Sequence, residues 1–314
     1  MHIAVIGAGN MGCLYGANLA RAGAQITLID PWAEQVQQIQ QQGLSMEGLH
    51  GAFTVHPGAT VDPVTLAGQA DLVLVLVGAG ATPAAAATAR QVLKDTGFAL
   101  TLQNGLGNLE ALQEVLGAGR VMAGMTFHSA DLQSPGRVVH TNKGATYLGE
   151  QDQSRTPRLA LLCEWMERAD MNPVIEEDIR ATMWGKFVLN CSINALCAIT
   201  DLRPGHIRQV PELDAFQTGL VEELLALVRA RGIQLPNPAP LEEIKAYSAK
   251  KFHRVSMLQH LARGRQTEID ALNGYAVREC KKLGLPCPCN EALTALIKGR
   301  QCLPTEEGQH DPEG

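Results

Sequence analysis

Through the first half of the chain, short aliphatic and β-branched runs alternate with longer stretches of helical period. Residues 3–6, 25–29, 72–77, 99–102 and 121–125 are the runs, and they are nearly continuously apolar rather than alternating. That is the pattern of strands buried on both faces of a parallel sheet. Between them, residues 11–22, 33–42, 84–94 and 109–116 have the length and the Ala, Leu and Gln content of crossover helices. Residues 138–140 and 146–149 are expected to add a closing hairpin. From about Arg158 onward the strand pattern vanishes. Amphipathic helices are predicted over 178–199, 211–231, 241–251 and 268–283, punctuated by Arg203-Pro204-Gly205, Gly232, Pro236-Asn237-Pro238 and Gly284-Leu285-Pro286. No internal repeat is visible.

A length of 314 residues favours two domains over one. With 46% hydrophobic and 18% charged residues, the chain has ample material for a core and too little charge for disorder. The formal net charge of −6 argues against a polyanion-binding surface, so no nucleic-acid partner is expected. Cys13, Cys163, Cys191, Cys197, Cys280, Cys287, Cys289 and Cys302 are scattered without CxxC pairs and read as reduced, mostly buried thiols. Cys287-Pro288-Cys289 is too tight to chelate one metal easily, and no metal site is expected. Residues 72–89 carry no charge, but Gly78, Gly80, Thr82 and Pro83 interrupt them, so no membrane association is expected. The first strand begins at once after Met1, with no basic targeting segment, which predicts a cytoplasmic location.

Gly7-Ala8-Gly9-Asn10-Met11-Gly12 is a GxGxxG that follows the first predicted strand and opens a helix. In that context Gly7 permits the tight turn, Gly9 lets a pyrophosphate approach the backbone, and Gly12 lets helix and strand pack closely. The second strand ends in an acid, Asp30, about twenty residues later, as the dinucleotide fingerprint requires. The fold class predicted is therefore α/β: an N-terminal Rossmann-type doubly wound parallel sheet over residues 1–175, then an all-helical domain over 176–303 and a mobile polar tail over 304–314. A carboxylate at position 30 accepts hydrogen bonds from ribose hydroxyls and repels a 2′-phosphate, so NAD(H) is favoured over NADP(H). Asp30 also fits a helix-start residue ahead of Pro31 and Trp32.

Lys186, Asn190 and Asn194 fall at i, i+4 and i+8 of a predicted helix that is otherwise apolar nearly all round. They form one polar stripe, and burying such a stripe without a use is costly. A partly desolvated lysine there would have its pKa lowered toward neutrality, suiting a general acid, while the two amides would position polar groups of a substrate. A helix with its polar edge in solvent is the simpler alternative.

With these residues in view, the chain resembles the ketopantoate reductase (2-dehydropantoate 2-reductase) family. The likeness rests on the glycine fingerprint, on Gln103-Asn104-Gly105-Leu106-Gly107 and on the Lys186/Asn190/Asn194 helix. It extends to Ser256-Met257-Leu258-Gln259 followed by Thr267-Glu268-Ile269-Asp270. The resemblance implies a cleft between a Rossmann-type and a helical domain for a small-molecule 2-keto acid. It implies Lys186 as general acid and Glu268 as its electrostatic partner. It further implies that Asn104, Asn190, Asn194 and Ser256 hold the substrate, with Gly7, Ala8, Gly9, Asn10, Met11, Gly12, Asp30 and Asn104 at the cofactor. Read from the residues alone, Asn104-Gly105 is also an ordinary turn, Glu268 would suit the first turn of a helix, and Ser256 would suit a cap. His128, after a strand, is a rival acid or a hydrogen-bonded wall residue.

Three departures matter. Where NADPH-using members carry an arginine and a lysine this chain has Pro31 and Gly78, and where the family often has Asn-Gly to reach the substrate hydroxyl it has Pro204-Gly205. The expected activity is hydride transfer from NADH to C2 of 2-dehydropantoate, giving pantoate for pantothenate and coenzyme A synthesis. The alternative is an NAD-dependent D-2-hydroxy-acid dehydrogenase of the same family acting on another branched 2-keto or 2-hydroxy acid. A 3-hydroxy-acid dehydrogenase is disfavoured by the segment from Ser256 to Glu268, and a non-catalytic NAD sensor by the presence of both Lys186 and Glu268. A homodimer through the helical half would be compatible with the sequence.

Overall fold

The computed structural model describes residues 1–49 and 51–302. The predicted tail over 304–314 lies outside them. The chain divides into two compact units, one of Met1–Gln103 with Asn108–Arg180, the other of Asn104–Gly107 with the chain from Ala181.

The first unit runs β1 (His2–Ile6), α1 (Asn10–Arg21), β2 (Gln25–Ile29), α2 (Ala33–Gln42), β3 (Leu44–Gly48), β4 (Phe53–Val55), β5 (Gly58–Thr60), β6 (Ala70–Val75), α3 (Thr82–Val92) and β7 (Leu93–Thr101). It continues with α4 (Asn108–Leu116), β8 (Val121–Thr126), β9 (Ser129–Ser134), β10 (Arg137–Asn142), β11 (Thr146–Gly149), α5 (Pro157–Arg168) and β12 (Pro173–Ile175). The main sheet has the order β12-β11-β8-β7-β6-β1-β2-β5, and its six strands from β8 to β5 are parallel.

Alternation along each strand feeds two cores. Ile3, Val5, Leu72 and Leu74 pack with Cys13, Leu14 and Leu19 of α1 and Leu162 of α5. Ala4, Ile6, Val73 and Val75 pack on the other face with Ala86 and Ala89 of α3 and Leu112 of α4. Helices on both faces explain why these strands read as unbroken apolar runs. The chain leaves β1 toward β2 on one side and returns to β6 on the other. The turn after β1 therefore lies at the switch point of an open α/β sheet, beyond the strands' carboxyl ends.

The expected hairpin of residues 138–140 and 146–149 does not form. The second of these is β11, antiparallel to β8 in the main sheet; the first belongs to β10, in a separate four-stranded sheet of order β4-β3-β10-β9. Sequence reading missed β3, β4, β5 and β9 because they are short or polar on one face. That small sheet covers the outer side of α1, so α1 is buried from Gly12 through Leu19 without interruption. β12 also contradicts the expectation that strands end near residue 158.

The second unit contains α6 (Ile179–Thr200), whose first residues belong to the first unit, then α7 (Pro204–Ile207), α8 (Pro211–Ala230), α9 (Pro240–Ala249), α10 (Ser256–Ala262), α11 (Asn273–Leu283) and α12 (Pro288–Gln301). The helix predicted over 268–283 is broken: Ile269–Ala271 is a 3-10 turn and α11 begins only at Asn273. Among the described residues no helix is long and apolar enough to cross a membrane, and no group of three or more His, Cys, Asp or Glu side chains gathers to hold a metal.

The glycines after β1 differ in what they tolerate. A Cβ on Gly12 would overlap the carbonyl oxygen of Gly7, whereas one on Gly9 would meet nothing within 4 Å. Gly12→Ala is expected to destabilise the protein by about 1–3 kcal/mol, the scale of overpacking. Gly9→Ala should stay within about 1 kcal/mol of wild type, as at an uncrowded site. Urea unfolding of the pair checks this; equal losses would contradict it.

Candidate active site

The turn between β1 and α1 is held by its own peptide groups. Gly7 has φ +101, and a Cβ there would press on Val77 at 2.9 Å. Ala8 is gripped through both of its flanking peptide groups: its N–H donates to Asp30 Oδ2 at 2.6 Å, and its carbonyl accepts from Gln35 Nε2 at 2.8 Å and from the Cys13 thiol at 3.1 Å. The other oxygen of Asp30 accepts the Trp32 N–H at 2.9 Å. Asp30 therefore both starts the approach to α2 and ties β2 to the glycine turn. Two backbone N–H groups occupy only part of a carboxylate's roughly four acceptor positions.

Gln35 Oε1 accepts the Gly136 N–H at 2.8 Å and Asn10 Oδ1 accepts the Leu132 N–H at 3.1 Å, joining the turn to the small sheet. By helix geometry the N–H groups of Asn10, Met11 and Gly12 have no intrahelical acceptor, and no acidic side chain occupies that first turn. Above Gly9 the space is open. An open backbone surface, unspent N–H groups and the positive end of a helix dipole fit a pyrophosphate, and Asp30 fits a ribose diol.

The second unit carries the other cluster. Lys186, Asn190 and Asn194 stand on α6, successive side chains about 6 Å apart along its axis. Trp184, Phe187, Val188, Cys191 and Ile193 of the same helix lie in the unit's apolar core. Trp184, Phe187 and Tyr275 form a T-shaped trio with ring centroids 5.5–6.5 Å apart.

Glu268 reaches this helix because its segment is tied down on several sides. Ahead of it, the Thr267 N–H donates to Gln301 Oε1 of α12 at 2.8 Å. Behind it, buried Asn273 donates through Nδ2 to the Cys191 carbonyl of α6 and to Asn290 Oδ1, both at 2.9 Å. The loop from Asn104 to Gly107 rests on the same segment: the Leu106 N–H donates to the Ala271 carbonyl at 3.0 Å, Gly105 at φ +85 is pressed against Ala271, and Gly107 meets the Tyr275 ring. Asn104 thus joins the second unit, although Gln103 before it belongs to the first.

The Lys186 side chain is only partly exposed. Burial pulls its pKa from the ordinary 10.5 to about 8, with the negative charge of Glu268 opposing the fall. Glu268 Oε2 is buried without a hydrogen-bond partner. Lys186, Glu268, the Asn104 loop and the two α6 amides are therefore assembled within one unit. Ser256 is the first residue of α10, and the glycine turn with Asp30 stands in the first unit.

Residues 3–153 match the family model described as "Ketopantoate reductase PanE/ApbA", and residues 178–301 match its C-terminal companion. The chain belongs to the ketopantoate reductase family. A 2-dehydropantoate 2-reductase of Pyrococcus horikoshii is 31% identical over 310 residues, 96% of this chain and 98% of that protein. A PanE/ApbA family ketopantoate reductase of Ralstonia eutropha superposes with a TM-score of 0.89 at 33% identity, covering 96% and 98% of the two chains. D-mandelate dehydrogenase, in a ternary structure with NADH and anilino(oxo)acetate, superposes with a TM-score of 0.87 at 25% identity, covering 96% and 98%. The reductase is an oxidoreductase that works with a nicotinamide cofactor, and its fold is the Rossmann-type α/β unit with a helical unit expected from the pattern.

One expectation changes, and one pair of alternatives is narrowed. Glu268 does not sit in the first turn of a helix but ahead of the 3-10 turn, so the helix dipole does not explain its presence. His128 is buried in the first unit of the reductase, its ring nitrogens 3.1 Å from His140 Nε2 and from the Met171 carbonyl, as a wall residue would be. Sequence reading missed Gln35, Asn273 and His260. Gln35 is one of six glutamines in eight positions, and only the apolar spacing of Val36 and Ile39 marks its face. Gln35→Leu leaves the Gly136 N–H without its acceptor and is expected to lose about 1–3 kcal/mol, the scale of an orphaned buried polar group. Equilibrium unfolding checks this; a stability equal to wild type would contradict the clamp.

Proposed function

We propose that this protein reduces the C2 carbonyl of 2-dehydropantoate to pantoate in the cytoplasm, using NADH in preference to NADPH. The observation that carries the reading is the desolvated Lys186 ammonium beside Glu268, on an apolar helix that also carries Asn190 and Asn194. The dihydronicotinamide, when bound, supplies the hydride. Lys186 supplies the proton at the carbonyl oxygen as negative charge develops there, and is left as a neutral amine. Glu268 keeps the lysine cationic before the transfer. Asn104, Asn190, Asn194 and Ser256 donate hydrogen bonds to the substrate's carboxylate and hydroxyl oxygens and fix C2 in place.

In the first unit, the turn of Gly7, Ala8 and Gly9 brings the backbone N–H groups of Asn10, Met11 and Gly12 to the pyrophosphate, and Asp30 takes the ribose hydroxyls. The negative charge of Asp30, with Pro31 and Gly78 where NADPH-using relatives carry cations, supports the preference for NADH.

A second reading has its own support. Pro204 opens α7 with Gly205 packed beneath the Phe252 ring, so position 204 lacks the amide that would recognise a 4-hydroxyl. The D-mandelate dehydrogenase likeness points the same way. A panel of branched 2-keto acids separates the two: the first reading expects 2-dehydropantoate to have the highest kcat/KM, and a higher value for a 2-keto acid lacking the 4-hydroxyl would replace it with the second.

Lys186→Ala is expected to lower kcat by about two orders of magnitude or more, the scale of a general acid. Because the donor must be protonated, kcat/KM for reduction should fall as pH rises through about 8, while oxidation of the hydroxy acid should gain over the same range. Near-normal turnover, or an alkaline limb that survives in the variant, would remove Lys186 from this role. NADH should exceed NADPH by about tenfold or more in kcat/KM, and Asp30→Asn should narrow that gap through loss of charge repulsion. Equal use of both by the wild type would contradict the role of Asp30.

A further inference from the structure

One partly buried titratable group in the segment ahead of Glu268 has no part in the scheme above. His260 lies on α10, one turn beyond Ser256, and its Nδ1 is buried without a hydrogen-bond partner. The same holds for Glu268 Oε2. Two buried polar atoms without partners, eight residues apart in the chain, are costly unless they serve something.

The surroundings of the imidazole are well defined. The chain after α10 folds back so that the N–H groups of Arg263 and Arg265 both donate to the His260 carbonyl, at 3.1 and 2.9 Å. That fold-back brings the following segment past the helix end, and the charged groups acting on the ring are Glu268, from the segment ahead of the 3-10 turn, and Arg265 and Arg263, from the turn after its own helix. Lys186 on α6 acts on the same Glu268 from the other element. Burial holds the imidazole below its ordinary 6.5, Glu268 opposes that, and the two arginines reinforce it. The ring is accordingly neutral at neutral pH, and Glu268 acts on two groups that can each carry a proton, Lys186 and His260.

We propose that His260 is a positioning residue for the proton donor: as a neutral ring it leaves the Glu268 carboxylate to Lys186, and on protonation it competes for that carboxylate and releases the ammonium from its counter-charge. This rests on Lys186 being the donor. It adds a second, acid-side control on the same group. Only a proton moves, taken from solvent by the imidazole and returned to it.

The test has two arms. In the first, kcat for reduction is followed from about pH 5.5 to 7.5 in wild type and His260→Asn, an amide that keeps a donor near the place of Nδ1. Wild type should lose about threefold or more at the acid end, as a histidine titrating below its usual value would cause, and the variant should be nearly flat. The second arm needs no turnover. The His260 ring titration is read by NMR in wild type and in Glu268→Gln, where loss of the carboxylate charge should move the midpoint to lower pH. An acid limb retained in His260→Asn, or a His260 midpoint identical in the two proteins, overturns the proposal. If no 2-keto acid is reduced at all, the second arm still decides whether His260 and Glu268 are coupled, so failure of the activity and failure of this proposal are told apart.

Discussion

An ammonium group held partly out of water under the influence of the Glu268 carboxylate is the constraint around which the helical unit is organised. Moving Lys186 from the ordinary 10.5 to about 8 is worth about 3 kcal/mol of preference between its two protonation states. Desolvation supplies the fall, and Glu268 limits it. Without the carboxylate the lysine would lose its proton too readily for the proposed role as an acid; without the burial it would hold the proton too tightly. The balance needs Glu268 in one place. The anchors around it, Thr267 on Gln301, Asn273 on the Cys191 carbonyl and Ala271 under the Asn104 loop, bring it there from three directions.

The first unit solves a different problem with the same economy. A backbone proposed to approach a pyrophosphate cannot be stiffened by side chains on its open face, and this one is stiffened from behind. Asp30 and Gln35 hold the two peptide groups flanking Ala8, while Asn10 and Gln35 bind the turn to the small sheet over α1. Asp30 is thereby a structural acceptor, whatever it does for the cofactor. The small sheet, of which the sequence marked only residues 138–140, braces the turn through the N–H groups of Leu132 and Gly136.

The parts legible in the sequence were those governed by periodicity and by backbone sterics. Strands with two buried faces and helices such as α2 and α6 announce themselves through apolar spacing, and Gly7, Gly9 and Gly12 through positions where a Cβ is excluded or unwanted. The stripe of Lys186, Asn190 and Asn194 was visible because its polarity clashes with an apolar helix. The less legible parts depend on long-range pairing. β3 and β10 pair across about ninety residues, and nothing local says that residues 138–140 and 146–149 enter different sheets. Leu272 and Asn273 look like helix interior, yet the bond from Asn273 to α6 sets where α11 starts and leaves Glu268 outside it. His260 reads as one polar position on a short helix until its neighbours are known.

The most direct test of the account is the ionisation of Lys186 itself, followed through its side-chain carbon and nitrogen resonances in protein labelled at lysine, with Lys186→Met to assign the signal. The account requires a midpoint near 8 in the wild type, and a lower one once Glu268 is replaced by glutamine. A midpoint near that of an exposed lysine, or one indifferent to Glu268, would contradict it.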